Sequence, residues 1–246
     1  MMIPSFISVR SASSRLPGKC FLSFGDGNVL EYVIDRALFN DLEVIVCTTW
    51  DPDDDRIEEI CDEKKVPCFR GEPINKLKRW DDCCNFFDIK AFHSVDADDP
   101  FFDGDLIKKS YKLLLEGGWD MVAPTKSSSS GGASVGYSLT CDIVKKALAL
   151  TGSDEDTEMM WYWVEKVGGL KKTVLAEPRH FQARARLTLD YEEDYWFLKS
   201  LLKMVDGEAT RREINDVLSR NPDLYKINWF RNNEWATRQR SKNIKA

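Results

Sequence analysis

Between Arg10 and Lys19 the chain reads Arg-Ser-Ala-Ser-Ser-Arg-Leu-Pro-Gly-Lys, directly after the apolar run Ile3 to Val9. Arg10, Arg15 and Lys19 all precede the first acidic residue, Asp26, in a chain whose formal net charge is −6. Guanidinium and ammonium groups make charge-assisted hydrogen bonds to phosphate oxygens, and a loop containing Ser13, Ser14 and Gly18 adds backbone N–H donors. The loop therefore suits a polyphosphate; read on its chemistry alone, an ordinary basic surface loop fits as well. It is not a P-loop, because that motif needs two spaced glycines and a Lys-Ser/Thr pair, whereas Lys19 is followed by Cys20. The three spaced glycines of a dinucleotide fingerprint are missing too.

Two carboxylate groups could complement such a cradle. Asp96-Ala97-Asp98-Asp99-Pro100-Phe101-Phe102-Asp103 follows a short apolar run. Crowded carboxylates at a strand end suit Mg2+, while a turn and helix cap is the structural alternative. Asp103, just before the helical pattern from Leu106, reads as the cap, and Asp98 as the better ligand. Arg186-Leu187-Thr188-Leu189 alternates like a short strand ending at Asp190. Alone, Asp190 reads as a helix N-cap; brought beside Asp98, it would complete a two-carboxylate site for Mg2+.

The elements that would position these groups alternate in type. Ile3–Val9, Leu42–Thr48, Ile89–Val95 and Met121–Ala123 read as strands, and Asn28–Phe39 and Leu106–Leu115 as helices. The aspartates from Asp51 to Asp55 suit a helix N-terminus, with cation binding as the alternative. This order implies a mostly parallel sheet covered by helices on both faces, with a ligand beyond the carboxyl ends of its strands. Both the basic loop and the Asp96–Pro100 segment fall at such ends. Ser127–Gly132 reads as a mobile loop, either a lid or plain surface. Tyr191–Val205 and Arg211–Leu218 read as helices, and Trp229, Phe230 and Trp235 as packing aromatics.

Composition narrows the function classes. At 246 residues and 43% apolar, the chain can bury a substantial core, and its net −6 argues against non-specific nucleic-acid or anionic-membrane binding. No window approaches a membrane span and no signal peptide is visible, so a cytoplasmic location is expected. Seven cysteines without a CxxC and only two histidines make a zinc site improbable and suggest reduced structural thiols.

Four motifs together resemble a known family. Arg10 with Ser13-Ser14-Arg15-Leu16-Pro17-Gly18-Lys19 is similar to the N-terminal signature of the cytidylyltransferases. These include the CMP-Kdo and CMP-acylneuraminate synthetases and, closer to this chain, the spore coat polysaccharide synthesis protein F-like group. Arg70-Gly71 with Leu77 and Arg79 resembles that group's R-G-x-x-x-x-x-L-x-R segment. Ala97-Asp98-Asp99-Pro100 resembles its G-D-x-P motif, and Arg186-Leu187-Thr188-Leu189-Asp190 through Asp194 its R-L-T-x-D-x-x-x-D motif. Ala97 stands where the family has glycine, and Asp96 is acidic where a small or polar residue is usual. Asp156-Thr157-Glu158-Met159-Met160-Trp161 replaces an Arg-Glu-His type segment that faces the acceptor.

The resemblance implies an α/β, three-layer nucleotide-diphospho-sugar transferase fold with a mostly parallel central sheet. Residues 1–205 would form the catalytic domain, and 206–246 a helical extension packed on it or on a partner subunit. The implied activity moves CMP from CTP to a sugar-acid or other anionic acceptor, such as a phosphate or phosphonate, with release of pyrophosphate. Arg15, Lys19 and Asp98 would be catalytic. Arg10, Ser13, Ser14, Gly18, Arg79, Glu158 and Arg186 would bind substrate, and Asp98 and Asp190 would hold Mg2+. Trp161, Trp163, Arg179, His180, Arg184 and Arg186 are the candidates for the acceptor side. A homodimer is expected, with neither nucleic acid nor membrane as partner. Two alternatives stay open: a nucleotide-sugar-dependent glycosyltransferase of the same fold using Asp96-Ala97-Asp98 as a DxD motif, and a non-catalytic nucleotide-binding regulator.

Overall fold

The computed structural model describes residues 3–152, 154–178, 184–235 and 237. Its strands are β1 (Ile3–Ser8), β2 (Ser23–Phe24), β3 (Gly27–Asn28), β4 (Leu42–Thr49), β5 (Cys68–Gly71), β6 (Ala91–Asp96), β7 (Met121–Ala123), β8 (Ser138–Thr140) and β9 (Lys172–Val174). Its helices are α1 (Val29–Phe39), α2 (Asp55–Lys64), α3 (Lys76–Phe86), α4 (Gly104–Gly117), α5 (Cys141–Leu148), α6 (Met160–Val164), α7 (Glu192–Leu202) and α8 (Arg211–Arg220). Seven strands form one sheet in the order β5-β4-β1-β6-β8-β7-β9, with β2 and β3 a separate hairpin. β5, β4, β1 and β6 are parallel, whereas β8 lies antiparallel between β6 and β7.

Alternation along the central strands splits the core into two layers. Phe6, Ile45 and Phe92 pack with Trp80 of α3 and Ile143 of α5 on one face. Ile7, Val44, Val46 and Val95 meet α1, α2 and α4 on the other. Strands buried on both faces read as continuous apolar runs, as Leu42–Thr49 does, where Glu43 alone is exposed. Helix ends are fixed locally. Asn28 and Glu31 form a reciprocal capping box on α1, and Asp103 Oδ1 accepts from Leu106 N at 2.9 Å to cap α4. Asp51 accepts from Asp53 N at 3.0 Å, so that acidic run caps a helix start.

This strand order puts a topological switch point at β1 and β6. β1 leads out to β4 on one side, and the chain returns after β5 to pair β6 on the other. Ser8 and Asp96 are register partners, and Ala97 N donates to Ser8 O at 3.1 Å. The loops that follow diverge from this point and leave a crevice between them. Gly136 borders it, and a Cβ there would lie 2.0 Å from the Ser94 carbonyl oxygen. Gly136→Ala is therefore expected to cost about 1–3 kcal/mol through overpacking, read as a lower Tm and denaturant midpoint.

Three sequence readings change. Residues 186–189 form no strand; their extended backbone instead docks on two loops, with Leu187 N donating to Gly131 O at 2.8 Å and Leu189 N to Asp98 O at 2.7 Å. The Ser127–Gly132 stretch forms a hydrogen-bonded helical turn over Ser128–Gly132, in which Ser128 Oγ accepts from Ser134 N and Val135 N at 2.9 and 3.0 Å. Cys84 and Cys141 are joined as a disulfide, not separate thiols, because α3 and α5 pack side by side, while Cys20, Cys47, Cys61, Cys68 and Cys83 are free. Beyond α7, Ile214 and Leu218 of α8 pack with Leu187, Leu198 and Leu201 in a third apolar cluster. Among the described residues no helix is long and apolar enough to cross a membrane.

Candidate active site

A cleft of about 550 Å3 opens at the switch point. At its centre Lys19 Nζ donates to Asp98 Oδ2 at 2.5 Å, to the Leu189 carbonyl at 2.8 Å and to Asp190 Oδ1 at 3.3 Å. Arg15 NH2 donates to the same Asp190 oxygen at 2.5 Å. The other oxygen of Asp190 accepts from Arg186 NH2 at 3.1 Å. Two of the basic-loop cations thus meet both aspartates, although the aspartates stand far apart in the chain.

Local structure explains how the basic loop reaches them. Gly18 sits at φ 65°, the left-handed region that a residue with a Cβ rarely adopts, and turns the chain back so that Lys19 points into the cleft. Its N–H donates to Ser11 O at 3.2 Å. Asp54 braces the loop from outside, accepting from Ser11 N at 2.7 Å and Thr49 Oγ1 at 2.5 Å. Burial would raise the Asp54 carboxyl, but the hydrogen bonds from Thr49 and Ser11 more than offset this and hold it below the usual range. Nothing in the sequence separates Asp54 from its capping neighbours Asp51 and Asp53; the long-range bond to Ser11 makes the difference.

Electrostatics at the centre are tightly balanced. Burial works against the Lys19 ammonium, yet Asp98 and Asp190 overcome it and raise its pKa. Burial pushes Asp190 up, and Lys19, Arg15 and Arg186 more than reverse that. Asp98 ends above the ordinary range, because burial and the charges of Asp190 and Asp96 outweigh Lys19. Asp99 is raised further, by burial and then by Asp98 and Asp96.

A second charged group lines the same cleft. Arg10 NH2 lies 3.2 Å from Glu158 Oε2, and Lys76 Nζ lies 2.8 Å from Asp96 Oδ1 and 3.6 Å from Glu158 Oε1. Arg79 is buried, donating through NH1 to Glu72 O at 2.5 Å, and its Nε has no hydrogen-bond partner among the described residues. Lys76 was not foreseen from sequence; a lysine at the start of a helix reads as solvated until tertiary packing buries it.

Arg10, Ser13, Ser14, Arg15, Lys19, Arg79, Asp98, Glu158 and Asp190 all line the cleft, as does Trp161. Gly18 and Arg186 are not among the residues that line it. Gly18 shapes the turn. Arg186 is fully buried behind Asp190, its Nε and NH2 held by the two oxygens of Asp194 at 2.8 and 3.0 Å, because a guanidinium in the interior needs carboxylate partners. Asp194 also accepts from Asp190 N and Tyr191 N, both at 3.0 Å, so Asp194 caps the turn into α7 and Asp190 stays free of that task. Trp163 packs in a core layer, and Arg184 is exposed over the Tyr225 ring. Arg179 and His180 lie outside the described residues.

The donors fit a hard divalent cation. Carboxylate oxygens of Asp96, Asp98 and Asp99 lie within 4.8 Å of one another. An ammonium already stands between Asp98 and Asp190, so that position favours positive charge. Such an all-oxygen set is of the kind that Mg2+ and Ca2+ take.

A mostly parallel sheet with a basic loop after its first strand and facing carboxylates at the switch point is the arrangement of a nucleotide-binding α/β protein. A family model described as Cytidylyltransferase matches residues 5–208, and the chain belongs to this family of nucleotidyltransferases. It is 27% identical over 228 residues to the spore coat polysaccharide biosynthesis protein SpsF of Bacillus subtilis, covering 88% of this chain and 94% of SpsF. An uncharacterized protein of Methanocaldococcus jannaschii is 29% identical over 233 residues, covering 93% and 95% of the two chains. Among solved structures, a cytidylyltransferase from Leptospira borgpetersenii superposes with TM-score 0.82 at 26% identity, over 92% of this chain and 97% of that one. CMP:2-keto-3-deoxy-manno-octonic acid synthetase, solved with CTP, gives 0.62 at 15% identity over 83% and 99%. The fold is that of the nucleotide-diphospho-sugar transferases.

Proposed function

We propose that the protein transfers CMP from CTP to an anionic acceptor, a sugar acid or a related phosphate or phosphonate, with release of pyrophosphate. One observation carries this reading: a single ammonium, Lys19 Nζ, joins Asp98 and Asp190 beside Arg15. An acceptor oxygen attacks the α-phosphorus, and the bond to the bridging oxygen of the β-phosphate breaks. Little covalent chemistry falls to the protein, so the barrier drops through positioning and charge neutralisation.

Arg15 and Lys19 hold the β- and γ-phosphates and stabilise the pyrophosphate as it leaves. For this, Lys19 exchanges its contact with the aspartates for phosphate oxygens. Asp98 and Asp190 would hold Mg2+, which when bound offsets charge on the α-phosphate and lowers the pKa of an attacking hydroxyl. Arg10 and Arg79, with Ser13 and Ser14, position the nucleotide, and Glu158 keeps Arg10 in place. Arg186 acts indirectly by holding Asp190. The glycosyltransferase alternative draws on Asp96-Ala97-Asp98, but Asp96 is engaged by Lys76, and a nucleotide-sugar donor expels no pyrophosphate for Arg15 and Lys19 to hold.

The test incubates the protein with CTP, Mg2+ and either an acceptor panel or small-molecule cell extract, and follows products by mass spectrometry. A new CMP-linked product appearing together with pyrophosphate is expected. Group transfer from a nucleotide sugar, with CTP left intact, would replace this reading by the glycosyltransferase one.

A further inference from the structure

Arg186 holds Asp190, and Arg186 is itself held by Asp194 and by residues from much later in the chain. Arg186 NH1 donates to Asn232 Oδ1 at 3.1 Å. Asn228 Nδ2 donates to the Arg186 carbonyl at 2.9 Å and to Asp194 Oδ1 at 3.0 Å. Arg231 clamps the segment, reaching Glu193 Oε1 at 2.8 Å and Glu234 Oε2 at 2.6 Å. Trp235 then lines the cleft itself, with the Arg186 guanidinium 5.9 Å from its ring centroid. Asn228, Arg231, Asn232, Glu234 and Trp235 all follow residue 208, where the cytidylyltransferase match ends.

We propose that the segment from Asn228 to Trp235 is a positioning element of the active site: Asn232, acting through Arg186, fixes the Asp190 carboxylate in the orientation that receives the metal–nucleotide complex. This rests on the CTP-dependent reading above. Asp190 Oδ1 is steadied by Arg15 and Lys19, and Oδ2 by Arg186. Once a triphosphate takes Arg15 and Lys19, Arg186 is the side chain that still anchors Asp190. Its guanidinium gives Nε and NH2 to Asp194, NH2 also to Asp190, and NH1 to Asn232. Removing the Asn232 oxygen leaves a buried N–H without that partner and lets the guanidinium turn away from Asp190. Loss of a residue that bonds a metal ligand directly, as Arg186 does, typically weakens metal binding by about 10- to 100-fold, and Asn232 acts on it one step further out.

Mn2+ in place of Mg2+ gives a readout independent of turnover. Mn2+ affinity is measured by electron paramagnetic resonance in the presence of CTP, and CTP affinity by calorimetry in EDTA, for the full-length protein and its variants. Asn232→Ala is expected to weaken Mn2+ binding with CTP by up to about tenfold, while metal-free CTP affinity holds because Arg15 and Lys19 are untouched. Asn232→Asp, which keeps the accepting oxygen, is expected to restore Mn2+ affinity. If Asn232→Ala does not fold, Asn232→Thr, which withdraws the oxygen but stays polar, must show the same loss. Wild-type Mn2+ affinity in the Ala or Thr variant overturns the proposal, and so does equal weakening with and without metal that Asp fails to rescue. A wild-type protein that binds no CTP under either condition overturns the CTP-dependent reading itself.

Discussion

Lys19→Ala is expected to lower CTP-dependent pyrophosphate release by about 100-fold or more. Losing one preorganised charge-assisted contact to a developing anion costs roughly 2–4 kcal/mol of transition-state stabilisation, and each 1.4 kcal/mol or so is a factor of ten. Lys19 is well placed to have this effect: its ammonium lies between Asp98 and Asp190, with only 15% of its side chain exposed. The substitution also alters the unliganded protein. Removing the ammonium leaves Asp98, already raised by burial, facing Asp190 with less neutralisation. The variant is therefore expected to be less stable than wild type in EDTA and to recover part of the difference in millimolar Mg2+, when Tm is followed by calorimetry. A variant with near-normal pyrophosphate release would remove Lys19 from the mechanism.

Asp190→Asn is expected to affect stability and activity together. Its carboxylate is 4% exposed and meets three cations, Arg15, Lys19 and Arg186. Replacing it takes the carboxylate from Arg15 and leaves Lys19 only Asp98 and Arg186 only Asp194, so the cost is expected to reach at most the roughly 3–5 kcal/mol typical of breaking a buried pair. The pH dependence has a definite sign. Asp190 lies below its ordinary value of 3.8 in the fold, so its contribution is fully present above that pH and is lost as pH falls through the lower folded value. Denaturant unfolding at pH 7 is expected to show the loss in full, and the gap between variant and wild type is expected to close on acidification below about pH 3.8. A gap that stays constant into that range would mean that Asp190 is not held by its cations.

The site was legible where chemistry is written in consecutive residues. The basic loop and the Asp96–Pro100 segment each follow a strand, so alternation of apolar and charged stretches was enough to put both at the carboxyl ends of the sheet's strands. The pairing of Asp190 with Asp98 came only from the family resemblance, since the residue pattern alone reads Asp190 as a helix cap. What escaped depends on contacts between distant segments. Asp54 is a cap by sequence and a loop brace only because Ser11 reaches it, 43 positions away. Lys76 gives no sign of burial until α3 packs against β4 and β5. Arg186 carries the charge of a ligand-binding residue, yet Asp194 and Asn232 draw it inward.

The fold shows the same division. The parallel strands β1, β4 and β6 span six to eight residues with buried apolar positions, and α1 and α4 have clear helical spacing, so their alternation along the chain followed from the pattern. The three-residue strands β8 and β9 and the four-residue β5 have too few positions to show a period, and the antiparallel insertion of β8 between β6 and β7 has no local signature. Residues 186–189 alternate as a strand would, since Leu187 and Leu189 are buried, but their N–H groups find loop carbonyls instead of a ladder.

The account depends on loop cations and a pair of remote carboxylates forming one triphosphate site. Calorimetric titration of CTP into wild type and into the Asp98→Asn/Asp190→Asn double variant, each with and without Mg2+, tests this directly. Wild type is predicted to bind CTP more tightly with Mg2+ present, and the double variant to lose that enhancement. CTP binding that is equally tight in both proteins and indifferent to Mg2+ would contradict the account and leave a nucleotide-binding regulator in its place.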